Sequence, residues 1–146
     1  NLWRKYLEID EKMFVDIDIE VLEGEVLLAG YVPTADVEMT AVQTAWQTDG
    51  VKRVINQLKV GKTLGVIDTA SDLLISTRIK TALMFDSRVY AINYTIETVD
   101  GTVYLMGIAQ NKNELDRVIS HVRATSYVKK VVSYVRLKND PTRKGT

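Results

Sequence analysis

Two stretches of similar sequence decide the fold: Ile19-Glu20-Val21-Leu22-Glu23-Gly24-Glu25-Val26-Leu27-Leu28-Ala29-Gly30 and, 77 residues later, Ile96-Glu97-Thr98-Val99-Asp100-Gly101-Thr102-Val103-Tyr104-Leu105-Met106-Gly107. At the same offset, Val51-Lys52-Arg53-Val54 matches Val128-Lys129-Lys130-Val131. A gap-free offset that holds across two glycines, a hydrophobic pattern and a basic pair indicates an internal repeat. The chain is therefore predicted to be a tandem of two similar units.

Each unit is predicted to have the order helix, strand, strand, helix, strand. Residues 16–21 alternate polar and apolar side chains, which is typical of a strand with one buried face. Glu23-Gly24 and Asp100-Gly101 lie between apolar runs and predict tight hairpin turns. We also expect Gly30 and Gly107 to be structural glycines, either because a side chain would meet the following helix or because φ must be positive.

Apolar residues at helical spacing follow the hairpin in both units. Asp36 and Asn113 are the expected N-caps of these helices. Ser71 or Thr69 is the expected N-cap of the helix that opens the second unit. The predicted fold class is α+β, with two tandem small α/β sandwich units, each a three-stranded sheet covered on one face by two helices.

These elements predict four segments along the chain: a first unit over 1–60, a linker over 61–70, a second unit over 71–138 and a flexible tail over 139–146. The 77-residue offset places Asn1 opposite Arg78, in the middle of the helix that opens the second unit. We therefore expect the opening helix of the first unit, with Leu2, Tyr6 and Leu7, to be truncated.

The charge of the chain is balanced overall and unevenly distributed along its length. Lys and Arg number 19 and Asp and Glu number 19. Residues 1–75 carry 7 basic and 13 acidic side chains, a net charge of −6, whereas residues 76–146 carry 12 basic and 6 acidic side chains, a net charge of +6. The two halves are expected either to pair with each other or to present the basic half to an anionic partner.

The composition excludes several classes of functional site. The 146 residues include no cysteine and one histidine, which excludes disulfides, thiol catalysis and zinc–thiolate sites. The sequence has no G-x-S-x-G, H-E-x-x-H, P-loop or G-x-G-x-x-G motif. We therefore expect no enzymatic activity, no cofactor and no metal ion.

Two groups of polar residues could nevertheless carry chemistry. His121 is expected on the surface of the long helix of the second unit, because no acid or nucleophile recurs beside it. Asp16, Asp18 and Glu20 share one strand face and could bind a cation or act as paired acids. Since their counterparts in the second unit are mostly not acidic, a solvated strand face is the expected interpretation.

The order of the elements is similar to that of KH-type RNA-binding folds, which clamp nucleic acid with a G-x-x-G loop between two helices. No such loop occurs between the predicted helices. The basic pairs Lys52-Arg53 and Lys129-Lys130 lie between helix and strand, and no stacking platform is obvious near them. Nucleic acid is therefore not an expected partner.

The helix that opens the second unit is the most informative candidate for function. Leu73 and Leu74 lie at its start, although residues 75–83 already supply a core-facing apolar stripe, and Arg78 and Lys80 follow closely. Apolar residues at a helix end with cations nearby suit contact with an anionic membrane interface. The alternative is that these leucines pack on Val66 and Ile67 of the linker.

The repeated pattern resembles the BON domain family, named for bacterial osmotic-shock and nodulation proteins. The first unit supplies residues 23–30 and Gly50-Val51-Lys52-Arg53-Val54-Ile55-Asn56-Gln57-Leu58, and the second supplies residues 100–107 and Tyr127-Val128-Lys129-Lys130-Val131. The second unit departs from the family pattern at Tyr127, where glycine is usual, and at Ser133, where asparagine is usual.

A tandem of two BON units resembles the dual-BON outer-membrane lipoproteins of proteobacteria. The resemblance implies a non-enzymatic periplasmic protein, anchored to the outer membrane by a lipidated cysteine upstream of this chain. It also implies binding of anionic phospholipids, chiefly through the second unit, in support of outer-membrane integrity. A soluble, osmotically induced periplasmic BON protein is the alternative within the family. Leu74 stands where an aromatic residue is often expected.

A different class of function stays open, namely an adaptor that binds an envelope protein partner through the open sheet faces. The face opposite the helices is expected to carry Tyr104, Met106 and Tyr134 in the second unit, and Leu27, Ala29 and Ile55 in the first. These patches could equally bury against each other.

Overall fold

The structure is a computed structural model that describes residues 2, 4–6, 16–61 and 66–145, without the side chains of residues 66–68, 144 and 145. The chain divides into two compact units, Asn1–Leu64 and Gly65–Thr146. This division agrees with a tandem of two similar folds, each with a core of its own.

The first unit is a three-stranded mixed sheet with helical residues packed against it. Its elements are β1 (Ile17–Leu22), β2 (Glu25–Val32), α1 (Ala35–Trp46) and β3 (Arg53–Val60). β2 lies in the centre of the sheet, antiparallel to β1 and parallel to β3. Residues 4–6 are helical, and the buried Tyr6 hydroxyl donates to the carbonyl oxygen of Ala41 in α1 at 2.7 Å. The opening helical segment is thus fixed to the rest of the unit.

The second unit repeats this arrangement. Its elements are α2 (Val66–Met84), β4 (Tyr94–Val99), β5 (Thr102–Ala109), α3 (Lys112–Ala124), β6 (Lys130–Ser133) and β7 (Arg136–Leu137). β5 lies antiparallel to β4 and parallel to both β6 and β7. A 3₁₀ turn at Ala91–Asn93 leads into β4, and another at Pro141–Gly145 lies in the stretch expected to be a flexible tail.

The internal repeat is confirmed by the positions of the elements. β1, β2, α1 and β3 begin at residues 17, 25, 35 and 53, and β4, β5, α3 and β6 begin at 94, 102, 112 and 130. Each pair of starts differs by the same 77 residues that separate the two sequence stretches. The predicted fold class is therefore confirmed, with the last strand of the second unit divided in two between Ser133 and Arg136.

Each unit has its hydrophobic core between the sheet and the helices. The core of the first unit includes Tyr6, Val26, Leu28, Val32 and Ala41. The core of the second includes Ile79, Ile96, Leu105, Val118 and Val122. The core residues of β2 (Val26, Leu28 and Val32) and of β5 (Val103, Leu105 and Ala109) are separated by even numbers of residues, so one face of each central strand builds the core.

The hairpin turns of the two units share one backbone geometry. Glu23-Gly24 has φ values of 50° and 81°, and Asp100-Gly101 has 49° and 78°. Two successive positive φ values are typical of the type I′ turns that join antiparallel strands. The N–H groups of Lys52 and Lys129 donate to the carbonyl oxygens of the two turn glycines at 2.8 Å. The basic pairs of the repeat therefore lie against the hairpins.

Gly30 and Gly107 allow a close approach of two backbone segments. Gly30 has a φ of 114°, and a Cβ atom there would collide with the carbonyl oxygen of Asp16. A Cβ atom at Gly107 would collide with the carbonyl oxygen of Asn93. In both units the neighbour is the residue before the antiparallel strand, and not the following helix that we considered. A larger side chain at either position would displace that strand.

The N-caps of α1 and α3 are Thr34 and Asn111. Each side chain accepts a hydrogen bond from the N–H three residues on, at 3.3 and 2.9 Å. The expectation that Asp36 and Asn113 cap these helices was wrong. Both lie inside the first turn, because the helices begin two residues earlier than the apolar periodicity indicates.

The start of α2 also differs from expectation. The helix begins at Val66, within the stretch 61–70 that we expected to be a linker. Thr69 and Ser71 therefore lie inside the helix and do not cap it. Helix propensity permits this, since the sequence between Val66 and Leu73 contains neither glycine nor proline.

The two departures from the family pattern keep the backbone geometry of the first unit. Tyr127 has a φ of 71°, and the equivalent Gly50 has a φ of 84°. The Ser133 hydroxyl accepts from the N–H two residues on at 3.3 Å, as the Asn56 side chain does at 3.0 Å. Serine therefore replaces the asparagine bond, whereas the exposed Tyr127 holds a conformation that favours glycine.

Replacing Tyr127 with glycine should stabilise the second unit. The left-handed conformation costs a non-glycine residue about 1–2 kcal/mol, and glycine loses about 0.5–1 kcal/mol more in conformational entropy. We expect Tyr127→Gly to raise the free energy of unfolding by about 0.5–1 kcal/mol in urea titrations. Gly50→Tyr is the matched control and should destabilise, although a Cβ atom there meets no atom within 4 Å. A less stable Tyr127→Gly variant would show that the tyrosine ring contributes packing instead.

Candidate lipid-binding surface

The four residues expected to contact lipid all lie on the exposed face of α2: Leu73, Leu74, Arg78 and Lys80. The two leucines are 68% and 48% exposed. The opposite face of the helix contributes Ile75, Ile79 and Leu83 to the core of the second unit. The alternative in which the leucines pack on residues 66–67 concerns side chains outside the described residues.

The last turn of α2 and the segment after it expose further apolar side chains. Residues 84–92, called the apolar turn below, include Met84 (74% exposed), Phe85 (86%), Tyr90 (62%) and Ile92 (94%). Of the eleven large apolar side chains that are exposed in the described chain, six lie on α2 or in the apolar turn. Such a concentration marks an interaction surface, whereas scattered exposed apolar residues do not.

Helical spacing places Leu73, near the middle of α2, and Met84, its last residue, on one face. Leu73, Lys80 and Met84 are separated by seven and four residues, so their side chains leave the helix in nearly the same direction. At a rise of about 1.5 Å per residue, Leu73 and Met84 lie about 16 Å apart along the axis. In the second half of α2, this face therefore carries an apolar side chain on either side of the cation Lys80.

Asp86 fixes the apolar turn to α3. Its carboxylate accepts hydrogen bonds from Nε and Nη2 of Arg117 at 3.0 and 2.8 Å, and it lies 2.7 Å from Nε2 of His121. It also accepts from the N–H of Arg88 at 2.9 Å. The hydrogen bonds from His121 and from the Arg88 N–H lower the pKa of Asp86 to about 2. One carboxylate thus holds both the backbone of the turn and the neighbouring helix.

Glu114 of α3 makes a second attachment to the same segment. Its buried carboxylate accepts from the N–H groups of Tyr90 and Gln110 at 3.4 and 3.2 Å, and from the hydroxyl of Tyr94. Burial, and then the bond to Glu114, raise the pKa of the Tyr94 hydroxyl. This hydroxyl therefore remains a proton donor, and the end of the apolar turn stays attached to α3.

Asp72 attaches the first half of α2 to the sheet. Its buried carboxylate accepts from the N–H groups of Asp100 and Gly101 in the second hairpin turn, at 2.8 and 2.9 Å. One turn further along, the buried hydroxyls of Ser76 and Thr98 lie 2.7 Å apart. The exposed face of α2 is therefore presented by a helix that is fixed along its length.

The sequence matches the family model named "BON domain" over residues 4–62 and again over residues 71–139. The chain belongs to the BON domain family. The two matches coincide with the two structural units, and the candidate surface lies on the second BON domain.

This tandem BON protein is similar to three bacterial proteins. It is 41% identical over 133 residues to "Uncharacterized protein in gshII 5'region" of Anaplasma centrale, covering 90% of this chain and 88% of the relative. It is 31% identical over 122 residues to "21 kDa hemolysin" of Actinobacillus pleuropneumoniae, covering 82% and 63%. It is 32% identical over 114 residues to "Outer membrane lipoprotein DolP" of Haemophilus influenzae, covering 77% and 59%. The chain thus spans about three fifths of the last two relatives.

His121 differs from expectation. We expected a surface histidine with no acid beside it, and the structure pairs its ring with Asp86, which lies 35 residues earlier. The partner was missed because it comes from the segment after α2, whereas the sequence pattern around His121 shows α3 alone. His121 is therefore a residue that positions the apolar turn of the second BON domain.

The acidic strand face of the first BON domain carries no recognisable site. Asp16 and Glu20 are partly exposed and Asp18 is exposed. Across the residues that the structure describes, no group of three or more His, Cys, Asp or Glu side chains could hold a metal ion.

In the described residues, no helix combines the length and apolar character needed to cross a bilayer.

The sheet faces opposite the helices differ from the open apolar patches that we considered for an adaptor. Leu27, Ala29 and Ile55 are buried, as are Tyr104 and Met106. Tyr134, the remaining residue of these patches, is partly buried. Six of the seven exposed large apolar side chains in the described part of the second BON domain lie instead on α2 or in the apolar turn, and the seventh is Tyr127.

The bonds of Asp86 predict a pH dependence of stability. Because its folded pKa is about 2 and its ordinary value is 3.8, the stabilisation is present above pH 4 and is lost as the pH falls through about 2. We expect Asp86→Asn to unfold at lower urea concentration than the unchanged chain at pH 6, with the difference narrowing between pH 4 and pH 2. Asp116→Asn, on the exposed surface of α3, is the control. A difference that is constant from pH 5 to pH 2 would contradict the assigned bonds.

Proposed function

We propose that this tandem BON protein is an envelope protein that binds anionic phospholipid membranes through α2 and the apolar turn of its second domain. The observation that carries the proposal is the cluster of exposed apolar side chains in the apolar turn, held in place by Asp86 and Glu114. Neither the chemistry of this surface nor its proposed role requires a catalytic group or a cofactor.

The apolar side chains supply the depth of insertion. Burial of a large apolar side chain contributes roughly 1.5–3 kcal/mol when it is complete. Phe85 and Ile92 are almost fully exposed, so both can transfer most of their surface into the acyl region of a bilayer. A fixed turn loses little conformational entropy on insertion, because Asp86 and Glu114 have already ordered it.

The cations supply the preference for anionic lipid. Arg78 and Lys80 lie between Leu74 and Met84 on α2, and Arg88 lies in the apolar turn; all three cations are exposed. Each cation near an anionic membrane surface contributes about 1 kcal/mol. The second unit, residues 65–146, carries 12 basic and 8 acidic side chains, a net charge of +4, so it is attracted as a whole to such a surface.

The location in the envelope is supported by the family and by one relative. The Haemophilus influenzae relative is named an outer membrane lipoprotein. We place this chain in the periplasm on the same grounds, next to the outer membrane and anchored by a lipidated cysteine upstream of it. Support of outer-membrane integrity, through the anionic phospholipids of that membrane, is the proposed role.

Substitution of Met84 should weaken membrane binding. In co-sedimentation with vesicles of phosphatidylglycerol and phosphatidylcholine, we expect Met84→Glu to bind at least about tenfold more weakly than the unchanged chain, because a charge replaces an inserted apolar group. Met39→Glu is the matched control, since Met39 is 60% exposed on α1 of the first domain. This variant carries the same charge change and should bind like the unchanged chain.

The same assay tests the cations. Arg78→Glu/Lys80→Glu should lose the preference for phosphatidylglycerol over pure phosphatidylcholine vesicles, and binding by the unchanged chain should weaken as salt rises. Arg123→Glu/Lys130→Glu is the control with an equal change in net charge on exposed residues of the same domain. The proposal fails if the unchanged chain sediments with neither kind of vesicle, or if the two double variants bind equally well.

A further inference from the structure

An apolar groove of about 320 Å³ opens beside the last turn of α2 in the second domain. Its floor is formed by Leu83, Tyr94 and Ile96, which are buried members of the core. The hydroxyl of Tyr94 is engaged by Glu114. The ring of this side chain therefore adds an apolar surface to the floor, while its polar atom has a partner of its own.

The rim of the groove combines apolar side chains with one cation. Met84 and Ile92 stand on the rim and are 74% and 94% exposed. Among the side chains that line the groove, the ammonium of Lys80 is the charged group. Exposed apolar side chains gain free energy when they are buried, so a ligand that covers Met84 and Ile92 while meeting Lys80 fits this rim.

A single acyl chain matches this groove in size and chemistry. The volume lies at the lower end of the range of about 300–1,000 Å³ found for small-molecule sites, which suits one chain and not the two chains of a diacyl phospholipid. A peptide in the same place would need partners for its backbone N–H and C=O groups, whereas an acyl chain needs none. An anionic head group would meet the ammonium of Lys80.

We propose that the groove binds one monoacyl lipid, with its acyl chain on Leu83, Tyr94 and Ile96 and its anionic head group at Lys80. This inference rests on the proposed function in so far as the groove borders the membrane-binding face. It adds a separate event, in which the groove takes up a single lipid molecule from water. Binding of the chain to a bilayer does not require the groove.

Calorimetric titration with dodecanoate, below its micelle concentration, tests the groove directly. We expect saturable binding of one dodecanoate per chain, weakened about tenfold in Lys80→Glu because the head group then meets a like charge. Dodecyltrimethylammonium, with the same chain and a cationic head group, should bind more weakly than dodecanoate. Lysophosphatidylglycerol and lysophosphatidylcholine, titrated in the same way, distinguish a phosphate head group from a carboxylate.

Two variants separate the groove from the membrane-binding face. Ala91 lines the groove, and Ala91→Phe should fill it and abolish dodecanoate binding while binding to phosphatidylglycerol vesicles is retained. Phe85 does not line the groove, and Phe85→Glu should weaken vesicle binding while dodecanoate binding is retained. If Ala91→Phe does not fold, as judged by circular dichroism, the smaller substitution Ala91→Leu takes its place.

The inference is overturned if dodecanoate binds without saturation, or if a folded Ala91 variant, Ala91→Phe or Ala91→Leu, binds it as the unchanged chain does. Dimerisation of the unchanged chain in sedimentation velocity, abolished by Ala91→Phe, would instead assign the groove to a second copy of the chain. Loss of vesicle binding in Phe85→Glu with dodecanoate binding intact would support both proposals. Absence of vesicle binding in the unchanged chain would overturn the membrane proposal alone.

Discussion

The proposed lipid-binding surface depends on the hydrogen bonds that Asp86 accepts from Arg117 and the Arg88 N–H, together with its contact to His121. They fix a segment with four exposed apolar side chains to the helix behind it, and Glu114 repeats the attachment at the other end of that segment. An exposed apolar segment without such bonds would collapse onto the nearest apolar surface. With them, the same segment keeps its apolar side chains in water and available to a membrane.

Comparison of the two repeats shows which residues give the second domain this surface. The domains share strand order, hairpin geometry and the glycines that allow close strand approach, so the two folds are built in the same way. They differ where the surface is built. Position 114 is the buried glutamate that holds the apolar turn, whereas its counterpart in the first domain is the buried Val37. Position 85 is phenylalanine, whereas its counterpart in the sequence is Glu8.

Much of the fold could be predicted because the same order of elements occurs twice in the sequence. In addition, the period of the apolar residues, two in strands and 3.6 in helices, can be recognised from a short stretch of sequence. The start of α2 could not be predicted, because no capping residue was recognised before Val66 and because Ser71, an N-cap residue type, wrongly indicated a later start. The pairing of His121 with Asp86 was also out of reach, because it joins positions 35 residues apart without any shared motif. The amphipathic pattern of α2 predicts that Leu73, Leu74, Arg78 and Lys80 are exposed, and their contact with lipid stays a prediction. The residues of the apolar turn after Met84 lie outside the helix and have no periodicity.

The depth of residue 85 in a membrane is the most direct measurement of the central claim. Because the chain contains no cysteine, Phe85→Cys and Met39→Cys each carry a single spin label, one in the apolar turn and one on the first domain. On phosphatidylglycerol vesicles, the label at position 85 should become accessible to oxygen and shielded from a water-soluble nickel chelate, while the label at position 39 remains accessible to nickel. A vesicle-bound chain whose label at position 85 stays as accessible to nickel as it is in solution would contradict the account.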